Sequence, residues 1–233
     1  MKKFMALLLV AGMTLSLTAC GGSTDTAKTD QADGKDTFTV GFDQDFPPFG
    51  YVGDDGEFTG FDIEMATECA ARMGKKIVLQ PIDWDAKDME LEAGTIDCIW
   101  NGFTMNGRED QYTWTDPYMD NSQVVVVKKD SGINTLADLA GKVVEVQKES
   151  AAETALNDEE HADLMASVAQ LLSVGEYNTA FMDLESGAVD AVAIDIGVAQ
   201  FQIEGKEDQY QILDETISSE QYAVGFFLGN TAL

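Results

Sequence analysis

"GFDQDFPPFGY", residues 41–51, sets Asp43 and Asp45 among Phe42, Phe46, Phe49 and Tyr51. A buried strand disfavours the aspartates, and a solvated loop disfavours the rings. Together they suit a surface that holds a polar head and a flat or aliphatic body. In that reading Asp43 addresses the polar group, while Phe46, with Trp84 from after "KIVLQPI", sandwiches the body. A plainer alternative makes the rings a core-edge cluster and Asp43 a turn residue; it accounts for Phe49 well and for Asp43 poorly.

Other polar side chains sit at similar places. "IDCIWNGFT" runs out into Asn101, Gly102 and Thr104, and "AVAID" ends in Asp195. Asp195 has two readings: a partner for an ammonium group, or a cap for the following helix. The chain holds two arginines, Arg72 and Arg108. Arg72 falls near a helix end, where a solvated role suffices. Arg108 follows the polar strand end, and its planar fork suits a carboxylate held in two bonds; a surface ion pair is the alternative on so acidic a chain. Ser150-Ala-Ala-Glu153 reads as a capping box, which places a helix N-terminus, favourable to an anion, at Ser150.

The elements that would position these groups alternate. "FTVGF" reads as a strand and "GFDIEMATECAARMG" as a helix; "KIVLQPI", "DAKDMELEAG" and "IDCIWNG" follow as strand, helix and strand. After "SQVVVVKKDSG" the alternation restarts with "KVVEVQ", "SAAETAL", "YNTAFMDLESG", "VDAVAID", "IGVAQFQIEG" and "YQIL". Such alternation points to mostly parallel sheets covered by helices, an α/β fold. "LEAGTIDCI" and "LESGAVDAV", beginning 93 residues apart at Leu91 and Leu184, share one pattern: helix end, glycine, strand opening on aspartate. Two lobes of about 90 residues follow from that echo, and ligands of open parallel sheets gather beyond the carboxyl ends of the strands. Facing lobes would make those ends the walls of one cleft.

The 42 acidic residues outweigh 14 basic ones, a formal net charge of −28. That surface repels nucleic acid and anionic lipid alike, which excludes nucleic-acid binding. The front end is a different segment. Lys2 and Lys3 precede an apolar stretch from Phe4 to Leu17 that closes on "LTAC", the form of a secretion signal over residues 1–19. The closing residues resemble a bacterial lipobox, which implies a lipid on Cys20. Residues 20–36 contain, after Cys20, nothing more apolar than alanine; those sixteen residues make a flexible tether reaching roughly 20–25 Å. No later segment approaches the roughly 20 apolar residues of a membrane span, so attachment would rest on that lipid. Cys69 and Cys98 are either buried free thiols or a disulfide pair, and spacing does not decide between them. With His161 the only histidine, no metal site and no cofactor are expected.

"VGFDQDFPPFGYVGDDGEFTGFDIEMA", "IDCIWNGFTMNGRED", "WTDPYM", "VVEVQKESAAE" and "VDAVAID" resemble the polar-amino-acid branch of the extracellular solute-binding proteins of ABC importers, with its glutamine-, histidine- and lysine/arginine/ornithine-binding relatives. The likeness covers residues 38–233. It implies a two-lobed type II periplasmic-binding fold: lobe 1 over 37–125, completed by 219–233, and lobe 2 over 126–218. By resemblance, Asp43, Phe46 and Trp84 contact the ligand side chain. Asn101, Gly102 and Thr104 bind the α-amino and α-carboxylate groups, Arg108 grips the carboxylate with Ser150 nearby, and Asp195 takes the ammonium. The implied partners are a small amino acid, the importer's permease and the membrane through Cys20, with the protein a monomer. Closure about crossings near Gln123–Lys129 and Glu215–Val224 is expected.

The sequence departs from that pattern in places. The Thr104–Arg108 segment is one residue short, Glu149 stands where glycine is common, and Ala151 where a second hydroxyl is common. Relatives continue beyond "GFFLGNTAL" with a final helix, so a missing C-terminal segment of about thirty residues is expected. Two other functions belong to related chains. Cyclohexadienyl dehydratases use a similar fold for elimination, which needs a positioned acid–base group, for which only Glu149 stands out. A tethered sensor acting through a partner is the other.

Overall fold

The computed structural model of the protein describes residues 35–232. The leader, Cys20 and nearly all of the expected tether lie outside those residues. The described residues fall within one unit, Ala32–Leu233.

β1 (Thr37–Phe42) leads into a small three-stranded sheet of β2 (Asp45–Phe46), β3 (Gly50–Val52) and β4 (Phe58–Thr59). Helix α1 (Phe61–Arg72), β5 (Lys76–Pro81), helix α2 (Lys87–Ala93), β6 (Cys98–Ile99) and β7 (Tyr112–Trp114) complete the first pass. The ten-residue β8 (Met119–Lys128) opens the second sheet. It is followed by β9 (Val143–Gln147), α3 (Ala151–Leu156), α4 (Ala162–Ser167), β10 (Gln170–Val174), α5 (Tyr177–Ser186), β11 (Ala191–Asp195), α6 (Ile196–Ile203), β12 (Tyr210–Ile212) and β13 (Ser218–Tyr222). β14 (Gly225–Phe227) returns to the first sheet.

The first sheet has the order β5-β1-β6-β14-β7, with the first three parallel and the last two antiparallel. The second has the order β10-β9-β11-β8-β12, with β13 also pairing β8. Its first three strands are parallel, and β8 runs against them. "SQVVVVKK", after which the alternation in the sequence restarts, is therefore a central strand. The reason lies in its side chains: Val124 and Val126 pack into the cluster beneath α5 and α6, and Val125 and Val127 into the one beneath α3. A strand covered on both faces can be apolar at every position, and each buried valine contributes about 1.5 kcal/mol or more. The first sheet is likewise covered twice, by Ala66 and Ala70 of α1 on one face and Leu91 of α2 on the other.

The sequence echo is a structural repeat. Gly94 and Gly187 end α2 and α5 in the left-handed region (φ 70° and 81°), where a residue without Cβ carries no penalty. Three residues on, Asp97 accepts a bond from the Thr39 amide at 2.7 Å and Asp190 one from the Val143 amide at 2.9 Å. Lys35 and Lys142 approach the same two carboxylates at 2.9 and 3.5 Å. Each aspartate ties the start of its own strand to the parallel neighbour.

The chain passes from the first sheet to the second at 115–118 and back at 223–224. Both passages fall at the edge of, or before, the crossings expected from the sequence, because β8 and β13 pair with each other from Met119 to Gln123 as part of the second sheet. Residues 119–125 accordingly pair in the second sheet. Cys69 and Cys98 are free thiols, Cys98 fully buried. Among the described residues no helix is long and apolar enough to cross a membrane.

Candidate ligand-binding site

The carboxyl ends of four parallel strands meet between the two sheets: Phe42 of β1, Ile99 of β6, Gln147 of β9 and Asp195 of β11. Phe46, Trp84, Asn101, Gly102, Thr104, Arg108, Ser150 and Asp195 line one cavity there, with Gln147 and Ala151. Its free space is about 10 Å³, close to that of one water. Asp43 is the one expected residue outside it. It lines an adjoining cavity of about 480 Å³ with Asp45, Asp83, Asp85 and Glu176, and Trp84 is common to both.

The opening stretch has a double task. Phe46 and Phe49 belong to the apolar cluster of the second sheet, Phe46 lying 6.1 Å from the Tyr177 ring and Phe49 5.4 Å from that of Tyr222. Phe49 thus follows the core reading, and Phe46 both packs and faces the cavity. Trp84 stands edge-on to Phe103 at 5.5 Å.

Asp43 is 4% exposed. It accepts bonds from the Asp45 amide at 2.8 Å and from Gln147 Nε2 at 2.6 Å. Burial pushes its pKa up to about 6, against the pull of those two bonds.

The segment after β6 is held from behind. Asn101 is buried and its Oδ1 has no partner. Gly102 has φ 56°, and a Cβ there would lie 2.9 Å from the Phe46 ring, so both conformation and space demand glycine. Its amide donates to Asp62 Oδ2 at 2.5 Å, so that N–H is spent inside the protein. Asp62 also accepts from the Tyr118 hydroxyl at 2.9 Å, and burial raises its pKa to about 7. Thr104 Oγ1 is likewise spent, on Glu220 at 2.7 Å.

Arg108 reaches across the cavity. Its guanidinium donates to the Thr104 carbonyl at 3.2 Å and the Glu149 carbonyl at 3.3 Å, and lies 5.4 Å from the Phe103 ring centre. Among the described residues it makes no bond to a carboxylate, so the surface ion pair does not form; Arg72 by contrast pairs with Glu68 at 2.8 Å, exposed. Ser150 caps α3, accepting from the Glu153 amide at 3.1 Å. Glu153 answers one residue earlier than in a capping box, accepting from the Glu149 amide at 2.7 Å. Glu149 has φ 60° and an exposed side chain, and it is not among the residues that line the cavity.

Asp195 is buried at the N-terminus of α6, without a side-chain bond to that helix. Its Oδ1 accepts from Asn121 Nδ2 at 2.8 Å, Gln123 Nε2 at 2.7 Å and the Tyr222 hydroxyl at 2.6 Å. Burial, then the charge of Glu220, push its pKa up to about 7.

Sequence reasoning missed Gln147, Asp62, Asn121, Gln123, Glu220 and Tyr222. A signal existed for the last four: Asn121 and Gln123, and Glu220 and Tyr222, are two apart, hence on one face of their strands. Among the described residues no group of three or more His, Cys, Asp or Glu is arranged to hold a metal.

Residues 38–178 match the bacterial extracellular solute-binding proteins, family 3. The chain is 30% identical to the L-cystine-binding protein TcyJ of Escherichia coli K12, over 98% of this chain and 83% of that one. It is 36% identical to the arginine-binding extracellular protein ArtP of Bacillus subtilis, over 63% and 56%. In structure it resembles a substrate-binding protein of an ABC uptake transporter from Streptococcus pneumoniae with bound histidine, with a TM-score of 0.79, 35% identity and coverage of 84% and 81%. An ancestral arginine-binding protein bound to arginine gives a TM-score of 0.77 at 36% identity, covering 84% and 87%. The fold is that of the type II periplasmic-binding proteins, and the relatives are named for binding rather than for a reaction. The chain belongs to the bacterial extracellular solute-binding proteins, family 3, as a binding protein and not an enzyme.

Proposed function

We propose that the protein captures a polar amino acid between its two sheets and delivers it, outside the cytoplasm, to the permease of an ABC importer, held at the membrane by a lipid on Cys20. One observation carries the reading of the site. A guanidinium without a carboxylate partner, Arg108, and a buried carboxylate, Asp195, line the same cavity. Those are the groups an α-carboxylate and an α-ammonium require. Relatives named for cystine, arginine and histidine support an amino acid as the class.

Asp43, Phe46 and Trp84 then meet the side chain. The acids around the adjoining cavity favour a basic or amide group there over an acidic one. A space of about 10 Å³ admits no amino acid, so entry requires the sheets to part about the passages at 115–118 and 223–224. A thermal-shift screen of the purified protein with the twenty amino acids tests the function. A ligand at 100 times its dissociation constant adds about 2.7 kcal/mol. If no amino acid shifted the transition, the reading would fail.

A further inference from the structure

Asp195 has a second carboxylate beside it. Glu220 is 7% exposed, and its Oε1 accepts from Asn121 Nδ2 at 2.7 Å and Gln123 Nε2 at 2.8 Å. Those are the two nitrogens that also donate to Asp195 Oδ1. Each amide therefore spends one hydrogen on each acid, and the two oxygens close a ring of four atoms with the two nitrogens. Tyr222 adds a donor on the Asp195 side and Thr104 one on the Glu220 side. Every donor in this group is neutral.

The groups facing the pair from each neighbouring element are Asn121 and Gln123 of β8, Tyr222 and Ser218 of β13, Tyr177 of α5 and Thr104 after β6, with Arg108 across the cavity. Arg108 gives its bonds to backbone carbonyls. Two buried carboxylates sharing donors, with no cation bonded to either among the described residues, are poorly suited to being ionised together. An amino acid needs one carboxylate for its ammonium; Asp195 lines the cavity, and Glu220 is joined to it through the two shared amides.

We propose that Glu220 is the second carboxylate of the ammonium subsite, and that the pair holds one proton in the empty site and releases it to solvent when an α-ammonium enters. The inference rests on Asp195 taking the ammonium, as proposed above. It makes capture a proton exchange: the ligand arrives already protonated, its positive charge replaces that of the shared proton, and affinity falls as pH falls. The raised pKa of Asp195 agrees with this direction. Asp43 and Asp62 also titrate in the acid-to-neutral range; neither is bonded to Glu220, so Glu220→Gln leaves them in place as internal controls.

The test is calorimetry on the purified protein with L-arginine and L-glutamine at pH 5.5 and 8, in buffers of different ionisation enthalpy. For the wild type the dissociation constant for both amino acids rises about 30-fold at the lower pH, and near pH 6 about one proton is released per ligand bound. Glutamine carries no side-chain charge, so its pH dependence excludes a contribution from a charge pair with Asp43. Glu220→Gln keeps the hydrogen-bonding shape, flattens the pH dependence and abolishes most of the proton release. Tight binding without proton release in the wild type would overturn the proposal and leave amino-acid capture standing, as would an unchanged release in Glu220→Gln. A second readout needs no ligand: carboxyl carbon NMR of the empty protein should show one proton still held by the pair at pH 6, and in Glu220→Gln Asp195 ionises at lower pH. Two fully ionised carboxylates in that spectrum would overturn the shared proton. Absence of binding by every amino acid would instead overturn the function, with the spectrum still deciding the pair.

Discussion

Gln147 donates to Asp43 at 2.6 Å, and that bond joins the end of β9 in the second sheet to the end of β1 in the first. It is one of several links across the cleft: Lys148 meets Asp85 at 2.7 Å, Asn178 meets Asp45 at 2.9 Å, and Arg108 reaches the Glu149 carbonyl. The exposed Lys148–Asp85 pair contributes little. The buried amide–carboxylate bond is the one placed to respond to a ligand.

Asp43 has its pKa raised to about 6, above its value in the unfolded chain. Its ionisation therefore favours unfolding, and stability falls as pH rises from about 4 to about 6. The loss is about 3 kcal/mol at most by the size of the shift. Denaturant unfolding of the ligand-free protein from pH 4 to 7 should show that decline, and Asp43→Asn should remove this part of it. The same variant should re-rank ligands, weakening a basic amino acid most and a small neutral one little. A uniform loss across a ligand panel would reverse the assignment.

Arg108→Ala and Asp195→Asn should weaken every amino acid, each by about 2–5 kcal/mol, because each leaves one half of a desolvated charged contact unpaired. Calorimetry against the same panel checks this, and a loss confined to one ligand would contradict a grip on the shared backbone groups.

Gly102→Ala should destabilise the fold by about 2 kcal/mol or more. The left-handed backbone costs about 1 kcal/mol for a residue with a Cβ, and a contact at 2.9 Å with the packed Phe46 ring adds strain. Chemical denaturation reads the effect, and a neutral result would mean that the ring moves freely.

Glu149→Gly should act in the opposite direction, raising stability by about 1 kcal/mol. Glu149 holds φ 60° while, among the described residues, its exposed carboxylate makes no hydrogen bond, and glycine relieves the backbone. The Glu149 amide and carbonyl contacts to Glu153 and Arg108 are retained by glycine. A loss of stability on unfolding would show that the carboxylate contributes.

Cys20→Ser should release the protein from the membrane fraction, since a surface of charge −28 offers no attraction to anionic lipid. Retention after a salt wash would point to another anchor.

The sequence by itself determined the periodic parts of this protein. "LEAGTID" and "LESGAVD" announced two equivalent units because a helix stop, a left-handed glycine and a strand-opening aspartate are local devices, each legible within a few residues. Arg108 stood out because the chain holds only two arginines, and Asp195 because it closes an otherwise apolar run. The tertiary structure decided what those runs could not: that the valine run is a central strand, that Phe46 and Phe49 of the first pass pack into the second sheet, and that Asp62 takes the Gly102 amide. It alone brought Glu220, 25 residues beyond Asp195 in the chain, onto the same two amides. Such contacts depend on how two sheets are set against each other, and long-range packing fixes that where spacing along one strand does not.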